Sequence, residues 1–211
     1  MDNIFFDLTF FDLKELFQQS GCPICALVQV FEERYLDVLF YENVNDPYVR
    51  GKIRDNGGFC PEHIKQIFDT RPSVLGISII YDDLFRHYLD QALTRDNQCP
   101  MCNARKEKEA FIQSIMEKHW KKLKMDWGDR VFLCRRHLEH TPWKEEIRCD
   151  LIELSRQSLL KISQDLSSFI RKFDYRIAKD TITNGESSSW QEVLEFFSGE
   201  RLRRKATNKY H

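Results

Sequence analysis

A cysteine and histidine pattern that occurs twice constrains this chain more than any other feature. The first copy is Cys22-Pro23-Ile24-Cys25 followed by Cys60-Pro61-Glu62-His63, and the second is Cys99-Pro100-Met101-Cys102 followed by Cys134-Arg135-Arg136-His137. The pairs are separated by 34 residues in the first copy and 31 in the second, and they contain six of the seven cysteines. Three thiolates and one imidazole form the ligand set of a closed tetrahedral zinc site. The pattern therefore predicts two zinc ions per chain, with the metal ligands Cys22, Cys25, Cys60, His63, Cys99, Cys102, Cys134 and His137.

Two alternatives use the same thiols. A Cys-Pro-x-Cys motif occurs where a helix N-terminus makes a thiol reactive, but that motif normally follows a strand. Here the first copy follows an expected helix and Gly21. Iron–sulfur clusters prefer four cysteines, or two histidines on one iron, so three cysteines and one histidine favour zinc. A redox-active or iron–sulfur protein remains the alternative prediction.

The composition excludes several classes of protein. Hydrophobic residues make up 42% of 211 residues, which is enough for a folded core, and the net charge of −1 attracts neither DNA nor an anionic membrane. We expect no transmembrane helix, because no run of eighteen apolar residues is present. The N-terminus also lacks the pattern of a signal peptide. Seven cysteines in such a chain indicate a reducing cytoplasm and metal binding rather than disulfides.

Helical periodicity dominates the chain, and no alternating segment longer than five residues is present. The predicted fold is all-α: a helical bundle of two related halves, each stapled by one Cys3His site, as expected after duplication of one unit. The predicted domains are residues 1–95, 96–178, and 179–211, the last containing a polar linker over 179–189, a helix from Trp190 that Gly199 ends, and a basic tail. Residues 43–58, which contain Asn-Asp-Pro and Gly-Gly, are predicted to be a loop.

The length of chain between the motifs does not decide which Cys pair shares a zinc site with which Cys-His motif. The helix after Cys102 carries the chain about 31 Å, and residues 124–133 can return it by at most roughly 33 Å. Pairing within each half is therefore possible and is the prediction we favour, although exchange of motifs between the halves would use the same eight ligands.

Other residues have simpler interpretations. Residues 118–124 include four lysines and Trp120, which could bind nucleic acid, but a solvated helix face with a core tryptophan is favoured. Glu32 and Glu109 lie two turns beyond their cysteine pairs, too far to be metal ligands, and are predicted to be flank charges. Cys149 is predicted to pack at the start of a helix.

The chain resembles a family of uncharacterised prokaryotic proteins that is catalogued as a domain of unknown function. The resemblance spans nearly the full length and implies a bacterial or archaeal cytosolic protein, without an established reaction. Beyond the four motifs, it rests on Gly58-Phe59, Leu75-Gly76-Ile77 before Tyr81, Leu133, the segment Phe169-Ile170-Arg171-Lys172-Phe173-Asp174-Tyr175-Arg176, Trp190 and Gly199.

Because four protein ligands leave no position for a substrate, we expect no enzyme, and no catalytic residue is predicted. The predicted function is that of a zinc-stabilised interaction or adaptor protein with an unknown protein partner and no membrane or nucleic-acid partner. The sequence predicts neither the pathway nor the oligomeric state.

Overall fold

The computed structural model describes residues 2–90, 99–173 and 181–202, with side chains from residue 9 onward. Within these ranges the protein is helical, and its one β-type contact is a parallel bridge between Gly21 and Val131. The all-α prediction is therefore confirmed. The helices of the described ranges are α1 Asp2–Leu16, α2 Pro23–Asp37, α3 Pro47–Asp55, α4 Pro61–Thr70, α5 Val74–Asp90, α6 Pro100–Leu123, α7 Arg135–Glu139, α8 Glu145–Lys172 and α9 Asn184–Ser198.

Two short helical segments of other types continue the longer helices. A π-helical turn, Val38–Glu42, follows α2, and a 3-10 turn, Lys124–Asp126, follows α6. In the ranges with described structure, none of the helices combines the length and the apolar character needed to cross a membrane.

The chain divides into two compact units. The first unit contains the residues up to 27 and from 111 on, and the second contains residues 28–110. The boundaries of these units fall inside α2 and α6, and they differ from the predicted division at residues 95 and 178. Each unit combines chain from both predicted halves, and this arrangement determines which cysteine pairs meet.

The second unit contains a helix in the segment predicted to be a loop. The Asn-Asp-Pro sequence begins α3: Asp46 caps the helix by accepting hydrogen bonds from the backbone N–H groups of Tyr48 at 2.8 Å and Val49 at 3.3 Å. Pro47 occupies the first turn, where its missing N–H costs nothing. The loop prediction for residues 43–58 was therefore wrong over Pro47–Asp55, because a cap and proline that begin a helix resemble turn signals.

The core of the second unit surrounds the π-helical turn. Apolar residues of α2, α3, α4, α5 and the start of α6 pack together there, and Gly76 of α5 lies against the backbone of Phe40. A Cβ atom on Gly76 would lie 1.9 Å from the Phe40 carbonyl oxygen, so only glycine permits this approach. The buried core members are Leu36, Leu39, Phe40, Val44, Ile53, Phe59, Ile67, Ile80, Cys99 and Met101.

The first unit is closed by the pairing of α8 with α9. Thr183 caps α9 and forms a reciprocal capping box with Glu186, and Gly199 ends the helix with φ +70°, as predicted for this glycine. The predicted linker over 179–189 was wrong for residues 184–189, which belong to α9. The Asp174-Tyr175-Arg176 part of the resemblance and the predicted basic tail beyond residue 202 lie outside the described residues.

An ordinary surface helix buries its apolar face and exposes its charged face, and α9 does the reverse. Its glutamates Glu186, Glu192 and Glu195 are buried, whereas Trp190 and the other large apolar side chains on the opposite face are exposed. Two of these carboxylates have cationic partners: Lys172 contacts Glu186 at 2.8 Å, and Arg130 binds Glu192 together with Asp165 of α8. These ion pairs hold α9 against the rest of the first unit. The exposed apolar residues of α9 are Trp190, Leu194 and Phe197.

Candidate metal centres

The structure brings the eight predicted ligands into two groups, each capable of holding a metal ion. We name them by the position of their motifs in the sequence. The outer cluster contains Cys22, Cys25, Cys134 and His137, and the inner cluster contains Cys60, His63, Cys99 and Cys102. Each cluster lies within one unit, and in each the four ligand atoms lie within 4.8 Å of one another.

This pairing corrects the favoured prediction, because each cluster joins a Cys pair of one half to a Cys-His motif of the other. A local reason is visible at Gly21, whose N–H donates to the Arg130 carbonyl at 3.1 Å and whose own carbonyl accepts from Phe132 N–H at 3.3 Å. Gly21 lies one residue before Cys22, and Phe132 lies two residues before Cys134. It therefore fixes the first cysteine pair beside the last motif.

In the outer cluster, helix starts position the ligands. Cys22 lies before α2 and Cys25 in its first turn, while Cys134 occupies the N-cap position of α7 and His137 is the third residue of that helix. His137 Nδ1 lies 3.5, 3.4 and 3.2 Å from the sulfurs of Cys22, Cys25 and Cys134, and the sulfurs of Cys25 and Cys134 are 3.5 Å apart. The imidazole thus faces all three thiols through one nitrogen.

The outer cluster is enclosed. All four residues are buried, and the Cys25 thiol is 3.3 Å from the carbonyl oxygen of Gly199 at the end of α9. The indole N–H of Trp143 donates to the His137 carbonyl at 2.8 Å, which fixes the backbone of α7. The end of α9 therefore forms part of the cover over this cluster.

The pKa values of two thiols in the outer cluster are shifted in opposite directions. Burial opposes ionisation of Cys22, but hydrogen bonds from Cys134 and Cys25 and the charge on His137 outweigh it and hold the pKa of Cys22 well below its ordinary value. Hydrogen bonds with Cys134 and Cys22, together with burial, raise the pKa of Cys25 well above its ordinary value. One thiolate is therefore already stabilised in the cluster before an ion is bound.

The inner cluster repeats the local geometry. Cys60 occupies the N-cap position of α4, with Pro61 next and His63 third in the helix, while Cys99 precedes α6 and Cys102 lies in its first turn. His63 Nδ1 lies 3.0, 3.5 and 3.4 Å from the sulfurs of Cys60, Cys99 and Cys102, and the sulfurs of Cys60 and Cys102 are 3.8 Å apart. In both clusters the histidine is therefore the third residue after the cysteine at the N-cap position.

A buried carboxylate supports the histidine of the inner cluster. Glu32 is only 4% exposed, and its Oε1 lies 3.6 Å from His63 Nε2, the nitrogen that faces away from the sulfurs. Arg105 Nε contacts the same oxygen at 2.8 Å, and the Gln66 amide donates to the other oxygen at 3.1 Å. A carboxylate behind a ligand histidine fixes its tautomer and orientation.

Sequence reasoning missed this role of Glu32. The conclusion that it is not a metal ligand stands, but the interpretation as a simple flank charge was wrong. Glu32 lies on α2 and His63 on α4, and only their packing brings the two side chains together. A charged residue within an otherwise buried helix face was the available signal.

The ionisable side chains of the inner cluster also differ in the direction in which their pKa values are shifted. Burial disfavours the charged imidazole, but hydrogen bonds with Cys99 and Cys60 and the nearby Glu32 carboxylate outweigh it and raise the pKa of His63 to about 10. Burial likewise opposes the Cys99 thiolate, yet hydrogen bonds from His63 and from the backbone N–H groups of Cys60 and Cys102 lower the pKa of Cys99 to about 6. Burial and the charge on Cys99 raise the pKa of Cys102 to about 12.

Both clusters have the dimensions of one tetrahedral ion. Zinc–sulfur bonds of about 2.3 Å and zinc–nitrogen bonds of about 2.0 Å at tetrahedral angles place two sulfurs about 3.8 Å apart and sulfur and nitrogen about 3.5 Å apart. The observed sulfur–sulfur contacts are 3.5 and 3.8 Å, and the sulfur–nitrogen contacts range from 3.0 to 3.5 Å. The residues present therefore fit a single bound metal ion in each cluster.

The other residues singled out in the sequence belong to neither cluster. Trp120 is 5% exposed and donates its indole N–H to Asp150 at 2.8 Å, and Lys124 contacts the same carboxylate at 3.2 Å. Its ring is therefore unavailable for stacking on a base, as the core interpretation expected. Cys149 is exposed on α8, so the prediction that it packs at a helix start was wrong.

Comparison with known proteins identifies relatives without an assigned activity. Residues 7–92 match the model of a family of unknown function (DUF6062), which confirms the resemblance to an uncharacterised family. The chain is also 28% identical to an uncharacterised 23.9 kDa protein in the xynA 3′ region of Caldicellulosiruptor sp. (strain Rt8B.4), over 88% of this chain and 98% of that protein. No solved structure matches the chain. The comparisons therefore supply relatives but no reaction.

Proposed function

We propose that this protein is a non-enzymatic, cytoplasmic zinc protein in which two structural ions hold a helical scaffold that binds another protein. The observation that carries the proposal is that each cluster supplies three thiols and one imidazole nitrogen within 4.8 Å of one another. Structural zinc contributes about 10 kcal/mol or more to the folding of such sites. The short helices α4 and α7 gain most from this contribution, since each begins at a ligand cysteine.

Zinc suits the clusters better than an iron–sulfur centre. In a cluster of several irons the ligand sulfurs bind different irons, so they must be farther apart than ligands of one ion. Ligand atoms within 4.8 Å of one another fit one ion. Three thiolates and one imidazole also match the tetrahedral preference of zinc.

A closed ligand set supports a structural rather than catalytic role. Catalytic zinc sites keep a position for water or substrate, whereas four protein ligands fill the tetrahedron. The outer cluster is in addition buried on all four residues. Binding of a partner is then the simplest function for the scaffold.

The exposed face of α9 is the candidate binding surface. Trp190, Leu194 and Phe197 recur at helical spacing and are 46%, 50% and 64% exposed. The charged residues of α9 are its three buried glutamates, so this face presents apolar surface without charge. An uncharged apolar face is complementary to itself, which makes a second copy of the chain the first partner to test.

The metal proposal is tested on protein purified without oxygen. We expect two zinc ions per chain, a colourless solution, and a large fall in the melting temperature when a strong chelator is added. Iron with labile sulfide and a visible absorption band would contradict the zinc assignment and favour an electron-transfer protein.

The binding surface is tested by sedimentation velocity. We expect wild-type protein to associate in a concentration-dependent manner and a Trp190→Ser, Leu194→Ser, Phe197→Ser variant to remain monomeric with two zinc ions. Exchange of the exposed apolar residues Ile152 and Leu160 of α8 for serine is the control. Monomeric wild-type protein at high concentration would exclude a second copy as the partner.

A further inference from the structure

The two clusters differ in their exposure to solvent. In the outer cluster, Cys22, Cys25 and Cys134 are 4%, 5% and 0% exposed. In the inner cluster, Cys99 is buried, but Cys60 and Cys102 are partly exposed. The chain thus combines one enclosed Cys3His cluster with one whose thiols are accessible on one side.

The accessible side of the inner cluster opens into a cavity of about 580 Å³. Cys60, Cys99 and Cys102 line it together with Ile64 and Lys106. Cavities of roughly 300–1,000 Å³ accommodate small organic molecules. A small reagent in this cavity would therefore meet the sulfurs of the cluster directly.

The chemistry of these sulfurs makes the cavity a reactive site. Binding of an ion requires deprotonated thiols, and the thiolate is the nucleophilic form of cysteine. The sulfurs of Cys60 and Cys102 are 3.8 Å apart, so a modest movement brings them to the disulfide distance of about 2.05 Å. In the outer cluster, by contrast, a reagent must first displace the end of α9, whose Gly199 carbonyl contacts Cys25.

From this contrast we infer that the inner cluster is a site of oxidation by small hydroperoxides, while the outer cluster is protected. The inference rests on the proposed zinc sites. A thiolate of Cys60 or Cys102 attacks one peroxide oxygen, the O–O bond breaks, and hydroxide or alkoxide leaves with the bonding pair, which gives a sulfenic acid. The other thiolate attacks that sulfur, the S–S bond forms, and hydroxide leaves. Two thiolates lose two electrons in total, and the peroxide gains them.

The consequence is confined to the second unit. After disulfide formation the inner cluster retains the Cys99 thiolate and His63, which are too few ligands for a structural zinc site. The ion is released, and α4 loses the contact between its first turn and α6. The first unit retains all four ligands of the outer cluster, so oxidation unfolds one unit and leaves the other folded.

The experiment uses full-length zinc-loaded protein with Cys149→Ser, which removes the exposed cysteine that is not a ligand. Metal content is measured first, and then one equivalent of hydrogen peroxide is added while zinc release is followed with a chromogenic chelator. Peptide mapping locates the disulfide. We expect release of one zinc per chain, a Cys60–Cys102 disulfide, and reduced cysteines in the outer cluster.

Two variants test entry through the cavity. Ile64, which lines the cavity, is changed to tryptophan to narrow it, and Val74→Trp is the control because Val74 is exposed in the same unit but does not line the cavity. We expect Ile64→Trp to slow zinc release by about tenfold, corresponding to about 1.4 kcal/mol in the barrier, and Val74→Trp to leave it unchanged. Equal rates for the two variants would overturn entry through the cavity.

The remaining outcomes separate this inference from the proposed function. Oxidation of the outer cysteines at the same rate, or release of both ions together, would overturn the selectivity. A metal other than zinc in the starting protein would contradict the proposed function, and peptide mapping would still report whether Cys60 and Cys102 react before the outer cysteines.

Discussion

Replacement of Arg130 by methionine should destabilise the first unit and open the outer cluster. Arg130 is the cation that holds α9: its guanidinium contacts Glu192 and Asp165 and donates to the Gly185 carbonyl at 3.2 Å. Hydrogen bonds to Glu192 raise the pKa of Arg130 above its ordinary value, although burial opposes its charge. Methionine retains much of the side-chain volume and removes only the charge and the donors.

The expected magnitude follows from burial. The Glu192 side chain is 1% exposed and the Arg130 side chain 21% exposed, so removal of the cation leaves a buried carboxylate without its main charge partner. Removal of one member of a buried ion pair costs about 3–5 kcal/mol. Because Arg130 retains some contact with water, we expect the lower end, about 3 kcal/mol. Glu192→Gln should cost less, since it removes the buried charge itself.

Tryptophan fluorescence is the appropriate assay. All four tryptophans, Trp120, Trp127, Trp143 and Trp190, lie in the first unit, so their fluorescence during urea unfolding reports that unit alone. The zinc-loaded protein is used, and the release of its zinc to a chelator is measured in parallel. Both the unfolding midpoint and the half-time of zinc release should fall in the variant.

The control is Arg135→Met, which removes an exposed ion pair with Glu139 in α7. Exposed pairs contribute about 0–1 kcal/mol, so this variant should remain close to wild type. If Arg130→Met lowered the free energy of unfolding by no more than Arg135→Met, the buried ion pair would not stabilise α9. A half-time of zinc release equal to that of Arg135→Met would contradict the role of α9 as a cover over the outer cluster.

Three further results are expected in the second unit. Glu32→Gln should weaken zinc binding at the inner cluster by about 10–100-fold in a chelator competition, because the Glu32 carboxylate orients the ligand His63. The control Glu62→Gln, which changes an exposed carboxylate, should not weaken it. Equal zinc affinities for the two variants would exclude an orienting role for Glu32. Because the pKa of His63 is raised to about 10, the imidazole is protonated at pH 7.5 and must lose a proton to bind zinc. The zinc affinity of the inner cluster should therefore rise as the pH is raised toward 10. A zinc affinity that stops rising near pH 7 would refute this. Gly76→Ala should lower the free energy of unfolding of the second unit by at least about 2 kcal/mol, measured by circular dichroism. The control Gly51→Ala should not, because the nearest atom to its Cβ would lie 3.9 Å away. Equal melting temperatures for the two variants would contradict the close approach of Gly76 to Phe40.

The sequence was sufficient to predict the helical class and the groups that could bind metal, because both depend on local patterns. Cysteine and histidine spacing identifies ligands independently of the fold, and the signal of Gly199 at the end of α9 is also local. The start of α3 was missed because Asp46-Pro47 fits both a turn and a helix cap, and the burial of Ile53 in the core settles the choice only in the folded unit.

The pairing of the clusters could not be predicted, because it depends on tertiary contacts. Chain reach sets only an upper limit on the distance between motifs, and the segment 124–133 was close to that limit. The 3-10 turn Lys124–Asp126 shortens this segment further, and the bridge at Gly21 brings its end to the first cysteine pair. The support of His63 by Glu32 was hidden for the same reason, since the two residues meet only when α2 and α4 pack.

The central claim is that the clusters exchange motifs between the halves of the sequence, and the zinc content of two double variants tests it most directly. Cys22→Ser with Cys134→Ser removes two ligands of the outer cluster, so the protein should retain one zinc per chain. Cys22→Ser with Cys60→Ser removes one ligand from each cluster, so it should retain none. The opposite result, no zinc in the first variant and one in the second, would show that each site uses the motifs of its own half.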